Sequence, residues 1–154
     1  MSDLDNDKKT AIALGLNSIL DNGRHLVMLD YDGKPIEDVM QDASHLKMVY
    51  GLGPFELVKS LRGYHAIFWW TPVKKELYDE ILRSSKCDIA FSTAPKKTIR
   101  IAGKYDTPDL LTVAIVRSPG EEIGQEGMDR LNFAHNIADS VQINKDKLLK
   151  SRLM

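Results

Sequence analysis

His25-Leu26-Val27-Met28-Leu29-Asp30-Tyr31-Asp32-Gly33-Lys34-Pro35 is the stretch whose reading decides the fold. Its first five residues form an apolar run of strand length, and Gly33 and Pro35 force a turn just beyond. The acidic pair therefore sits at a strand's end. On extended backbone, with one residue between them, Asp30 and Asp32 point to the same side and can share a hard cation, Mg2+ or Mn2+. A solvated turn explains these residues alone equally well, because Asp and Gly are common after strands.

Working outward from this strand, Ile12, Leu16, Ile19 and Leu20 recur at helical spacing and predict an amphipathic helix from Asp7 to about Asp21, stopped at Asn22-Gly23. On the other side, Ile36 to Ala43 reads as a short helix. Leu46 to Tyr50 and Phe55 to Ser60 read as a hairpin joined by Gly51-Leu52-Gly53-Pro54, with His65 to Trp70 as the next antiparallel strand. Thr71-Pro72 then predicts a helix N-cap ahead of the stripe Val73, Leu77, Tyr78, Ile81 and Leu82. Cys87 to Phe91, Thr98 to Ala102 and Leu110 to Val116 are short, β-rich and bounded by Pro, Gly or Asp, so three more strands are expected. A last helix spans Gln125 to Val141, and Lys145 to Met154 extends it or forms a loose tail. The fold class expected is α+β, a mostly antiparallel sheet packed with helices in one domain over residues 1–154.

Composition narrows the function classes. With 43% hydrophobic and 28% charged residues and no long apolar run, the chain is expected to be soluble, with no membrane partner. The acidic, polar start MSDLDNDKKT lacks the basic-then-apolar pattern of a secretory signal, so a cytoplasmic location is expected. Cys87 is the only cysteine, so neither an internal disulfide nor a paired-cysteine zinc site can form, and it is expected to be a core thiol. A net charge of −1 argues against tight autonomous binding to nucleic acid, although bound metals and a local basic cluster can supply positive potential.

Three further segments carry candidate chemistry. In Ser60-Leu61-Arg62-Gly63-Tyr64-His65, a loop opens an apolar strand, so Ser60, backbone N–H groups and His65 can surround a phosphate chain; a structural histidine is the commoner alternative. Asp88 follows the predicted helix and offers the third carboxylate that two-metal nucleotidyl transfer requires, or else a plain charge at a strand edge. On the alternating strand Thr98-Ile99-Arg100-Ile101-Ala102, Arg100 lies on the solvated face and with Lys104 can clamp phosphates, or serve as a solubilising edge.

Taken in order, VMLDYDGK, SLRGYHAIFW, KCDIAF and TIRIAGK resemble the motifs of the archaeo-eukaryotic primase superfamily, in particular the primase-polymerase branch found in plasmids and viruses. The resemblance spans about Leu26 to Lys104. It implies an RRM-like antiparallel sheet; Asp30, Asp32 and Asp88 as catalytic metal ligands for Mg2+ or Mn2+; and Ser60, Arg62, His65, Arg100 and Lys104 as nucleotide contacts. It further implies nucleoside triphosphates and a DNA or RNA template as partners. Ala102 stands where the family often has Pro. The resemblance extends to neither a zinc-binding insertion nor a helical accessory domain, so it implies a minimal catalytic core or a subunit, in which primer initiation is absent or depends on a partner such as a helicase or an accessory primase subunit.

Two other readings compete. LDYDGK also looks like the start of a haloacid-dehalogenase-like phosphatase, with Asp30 as nucleophile, Asp32 as acid/base and Glu121-Glu122 as the later acidic pair. A non-catalytic RRM-like module would instead bind nucleic acid or protein, with Trp69 or Trp70 stacking on bases.

Overall fold

A computed structural model describes residues 14–60, 62–88, 91–92, 98–102 and 111–132. Strand β1 spans Leu14–Asn17 and β2 spans His25–Asp32. They are followed by helix α1 (Ile36–Tyr50), strands β3 (Phe55–Lys59) and β4 (Gly63–Val73), and helix α2 (Lys75–Ser84). Strands β5 (Thr98–Ala102) and β6 (Leu111–Val116) come next, and residues 125–132 are helical.

Four strands form one antiparallel sheet in the order β2-β4-β3-β6, while β1 pairs with β5 in a separate antiparallel ribbon. Because β4 runs antiparallel to both β2 and β3, these two are parallel to each other, and β2-α1-β3 is a split β–α–β unit with β4 inserted. The α+β expectation therefore holds at the level of an antiparallel sheet packed with helices.

The core lies between this sheet and its helices. Val27, Leu29 and Tyr31 of β2, Ala66 and Phe68 of β4, and Phe55 and Leu57 of β3 are fully buried. Helix α1 presents Val39, Asp42, Ala43 and Leu46 to them, the three- and four-residue spacing of one helical face. Tyr31 reaches Asp42, which places α1 on the face of β2 opposite Asp30 and Asp32. Helix α2 packs against β2 through buried Tyr78, Ile81 and Leu82. Among the described residues no helix is long and apolar enough to cross a membrane.

Four local expectations are corrected. The segment expected to be helical up to Asp21 contains β1, and Ile19 bridges to His25; residues 7–13 lie outside the described residues. Leu14 and Leu16 also fit the two-residue period of a strand, Gly15 and Asn17 are poor helix formers, and pairing with β5 overrides a weak helical pattern. The expected strand Leu46 to Tyr50 is instead the end of α1, which stops only at Gly51, whose φ of 64° is the left-handed turn that glycine supplies. With it falls the expected hairpin: β3 pairs with β4 and β6.

Thr71-Pro72 does not cap a helix. Both belong to β4, and the Thr71 hydroxyl accepts the Gly53 N–H at 2.7 Å, so it is engaged across the sheet while α2 starts after Lys74. The described residues of the segment expected as a strand from Cys87 to Phe91 (87, 88 and 91) are not in one. The Cys87 N–H turns back to Ser85 Oγ, the Ser92 N–H reaches the Asp88 carbonyl at 2.9 Å, and Phe91 and Ser92 are helical. Short polar side chains here satisfy the backbone locally and compete with a ladder. The last predicted helix begins at 125 as expected, and its part beyond 132 lies outside the described residues, as does the tail from 145.

Candidate metal centre

Strand β2 is an edge of the sheet, and its outward-facing backbone groups are closed one at a time. Leu26 N–H donates to the Ser18 carbonyl at 2.7 Å. The Tyr78 hydroxyl donates to the Met28 carbonyl at 2.7 Å and accepts the Met28 N–H at 3.2 Å. Asp88 continues the series: its N–H donates to the Asp30 carbonyl at 2.8 Å, and its Oδ2 accepts the Asp32 N–H at 3.0 Å. A residue 56 positions beyond Asp32 thus docks on the strand end like a fragment of a neighbouring strand.

This docking brings three carboxylates together. One oxygen from each of Asp30, Asp32 and Asp88 lies within 4.8 Å of the others. Oxygens around one Mg2+ stand about 3 Å apart when adjacent and about 4.2 Å when opposite, so the three carboxylates must draw closer by rotamer adjustment to share a single ion. The donor set is all hard oxygen, which suits Mg2+ or Mn2+.

The electrostatics point the same way. Among the described residues none of the three aspartates pairs with Lys or Arg. Burial, and then the charges of Asp30 and Asp88, push the Asp32 carboxyl above its ordinary range, with His65 opposing. Asp30 and His65 face each other across β2 and β4, and His65 Nε2 lies 3.0 Å from Asp30 Oδ1. That is close enough for an ion pair when the imidazole is protonated. Buried Asp30 Oδ1 nonetheless has no hydrogen-bond partner among the described residues, and neither has His65 Nδ1. A buried acceptor without a donor is what a cation would satisfy.

The other expected contacts divide. Ser60 is buried, and its hydroxyl accepts the Gly63 N–H at 3.2 Å within the β3–β4 turn. Arg62 is exposed, and its carbonyl accepts the Gly33 N–H at 2.8 Å, which ties this turn to the turn after Asp32. Gly63 lies opposite Asp32, and a Cβ there would fall 1.8 Å from the Tyr31 carbonyl oxygen, so only glycine allows β4 this close to the acidic strand end. The backbone of Arg100 is in β5, which belongs to the other ribbon; its side chain and Lys104 lie outside the described residues. Cys87 is buried as expected of a core thiol, and burial above all raises its pKa.

Three residues around the site were given no part in it from sequence. Asp42 is buried and accepts both the Tyr31 hydroxyl and the Lys86 N–H. Glu56 is buried on the sheet face of His65 and accepts the Trp69 indole N–H at 2.9 Å. Tyr78 closes the β2 edge. Asp42 was findable, since Val39, Ala43 and Leu46 put it on α1's apolar face; Glu56 had only its place in an apolar strand as a signal.

No family model, curated protein or solved structure matches the chain significantly.

Proposed function

We propose that Asp30, Asp32 and Asp88 hold Mg2+ or Mn2+ and that the chain is a template-dependent nucleotidyltransferase of the archaeo-eukaryotic primase type. The observation that carries this reading is the convergence of the three carboxylates, two from the end of β2 and one from the segment after α2, beside a buried histidine. The split β–α–β unit in an antiparallel sheet is compatible with the RRM-like fold that the sequence resemblance implies.

Bound there, divalent metal would supply activation of the attacking hydroxyl and stabilisation of the leaving pyrophosphate. The chain's own part is to hold the carboxylates aligned. Asp88 is fixed by its backbone and side-chain bonds to β2, Asp30 by the ladder opposite His65, and Asp32 by the Gly63 approach. His65 and the exposed Arg62 stand on the turn and strand beside them, where a triphosphate would lie. A DNA or RNA template and a helicase or accessory subunit complete the proposed partners.

The rival readings draw less support. Glu121, half of the later acidic pair a phosphatase would use, is bound to Lys47 at 2.8 Å and to the Ser118 N–H. For a stacking module, Trp69 is buried and bonded to Glu56, and Trp70 packs its indole on Gly127, where a Cβ would fall 1.3 Å from Nε1. Incorporation of a labelled nucleotide on a primed template tests the proposal: activity should require Mg2+ or Mn2+ and vanish in Asp30→Ala and Asp88→Ala. Absence of both incorporation and nucleoside triphosphate binding at millimolar metal sinks it.

A further inference from the structure

Asp42 lies across the sheet from the three aspartates, yet it touches both segments that carry them. Its Oδ2 accepts the Tyr31 hydroxyl at 2.7 Å and the Lys86 backbone N–H at 2.9 Å. Tyr31 stands between Asp30 and Asp32, and Lys86 two residues before Asp88. Strand alternation turns Tyr31 away from its acidic neighbours, through the sheet and onto α1. One oxygen atom thus joins the end of β2 to the segment after α2 from behind. The bonds of Asp88 to β2 join the same two segments from the front.

Resting on the reading of the triad as a metal site, we propose that Asp42 is a positioning residue that holds the Asp88 segment in register with the Asp30–Asp32 strand, and thereby sets metal affinity without touching metal. Asp42 is 7% exposed, and a buried carboxylate is a costly way to fill space on an apolar helix face. A Phe at 31 against a Leu at 42 would pack the same gap with no desolvated charge, and such replacements of buried polar pairs are often neutral or stabilising. What the carboxylate adds is the link to Lys86. A group that aligns metal ligands from outside the coordination sphere commonly changes affinity by about 10- to 100-fold when removed.

The test is a titration of the full chain with Mn2+ alone, free Mn2+ being read by electron paramagnetic resonance well below each variant's Tm so that all the protein is folded. Wild type should bind, and Asp88→Asn should bind far more weakly. Tyr31→Phe and the packed double variant Tyr31→Phe/Asp42→Leu should bind about 10-fold more weakly than wild type or worse. If those two variants change Tm but keep wild-type affinity, Asp42 is merely structural and the inference is overturned while the triad stands. No Mn2+ binding by wild type overturns the triad reading and this inference together. Tyr31→Phe deletes a single hydroxyl and keeps the test decisive if the double variant does not fold.

Discussion

Asp32→Asn should make the metal-free protein more stable and the metal-loaded protein less so. One oxygen from each of the three carboxylates lies within 4.8 Å of the others, without a Lys or Arg partner among the described residues. Two unit charges at that distance repel by about 0.9 kcal/mol in bulk water and about 3.5 kcal/mol at an effective dielectric constant near 20. Asp32 is exposed, so the lower figure applies to each of its two neighbours. After the offset from His65, a gain of roughly 1 kcal/mol is expected on removing its charge. Urea unfolding in EDTA at neutral pH measures it, and high salt should shrink it.

The pH dependence has a definite sign. Burial and the neighbouring aspartates raise the Asp32 pKa in the folded protein. A raised carboxyl favours the fold while protonated; that contribution is complete below the unfolded-state pKa and is lost as pH rises through the folded-state value. The advantage of the Asn variant should therefore be present at pH 7 and vanish below about pH 4. With Mn2+ at about 100 times its Kd, wild type gains about 2.7 kcal/mol and overtakes the variant. A variant no more stable than wild type in EDTA would refute the mutual repulsion and, with it, the assembled cluster.

Tyr78→Phe leaves the Met28 carbonyl and N–H without their partner at the β2 edge and should cost about 1–3 kcal/mol in urea unfolding, with Mn2+ affinity unchanged. Gly63→Ala forces a Cβ against the Tyr31 carbonyl, so stability should fall by more than about 2 kcal/mol, and Mn2+ affinity should fall with it because the acidic strand end must move. Leu46→Ala should cost about 2–5 kcal/mol by chemical denaturation, as expected of a buried helix position rather than a half-exposed strand end.

Much of the site was legible because its chemistry is local to β2. The run His25 to Leu29, the turn at Gly33 and the common side of Asp30 and Asp32 follow from strand alternation. Helix α2 was legible through Tyr78, Ile81 and Leu82. Asp88 was found by its order in the motif series, but its local structure was misread: it meets β2 through one backbone bond and one side-chain bond, and periodicity carries no signal for such docking. Leu46 to Tyr50 misled because a short, mostly apolar stretch ending in Val49-Tyr50 fits a strand as well as the last turns of a helix, and only Gly51 in its left-handed conformation marks the true end. Leu14 to Asn17 became a strand through pairing with β5, far along the chain, where no local window reaches.

The way the outer side of β2 is closed bears on association as well as chemistry. An open sheet edge is a template on which another chain can add a strand. Here Ser18, Tyr78 and Asp88 bond to the Leu26 N–H, both groups of Met28, the Asp30 carbonyl and the Asp32 N–H, and the strand finishes in a knot of negative charge. The carboxylates proposed to grip metal thus also act as gatekeepers against intermolecular β-pairing. Neutralising all three would relieve their repulsion within one molecule while removing the charge that keeps two molecules apart, so the most stable monomer in such a series would be the one most prone to aggregate.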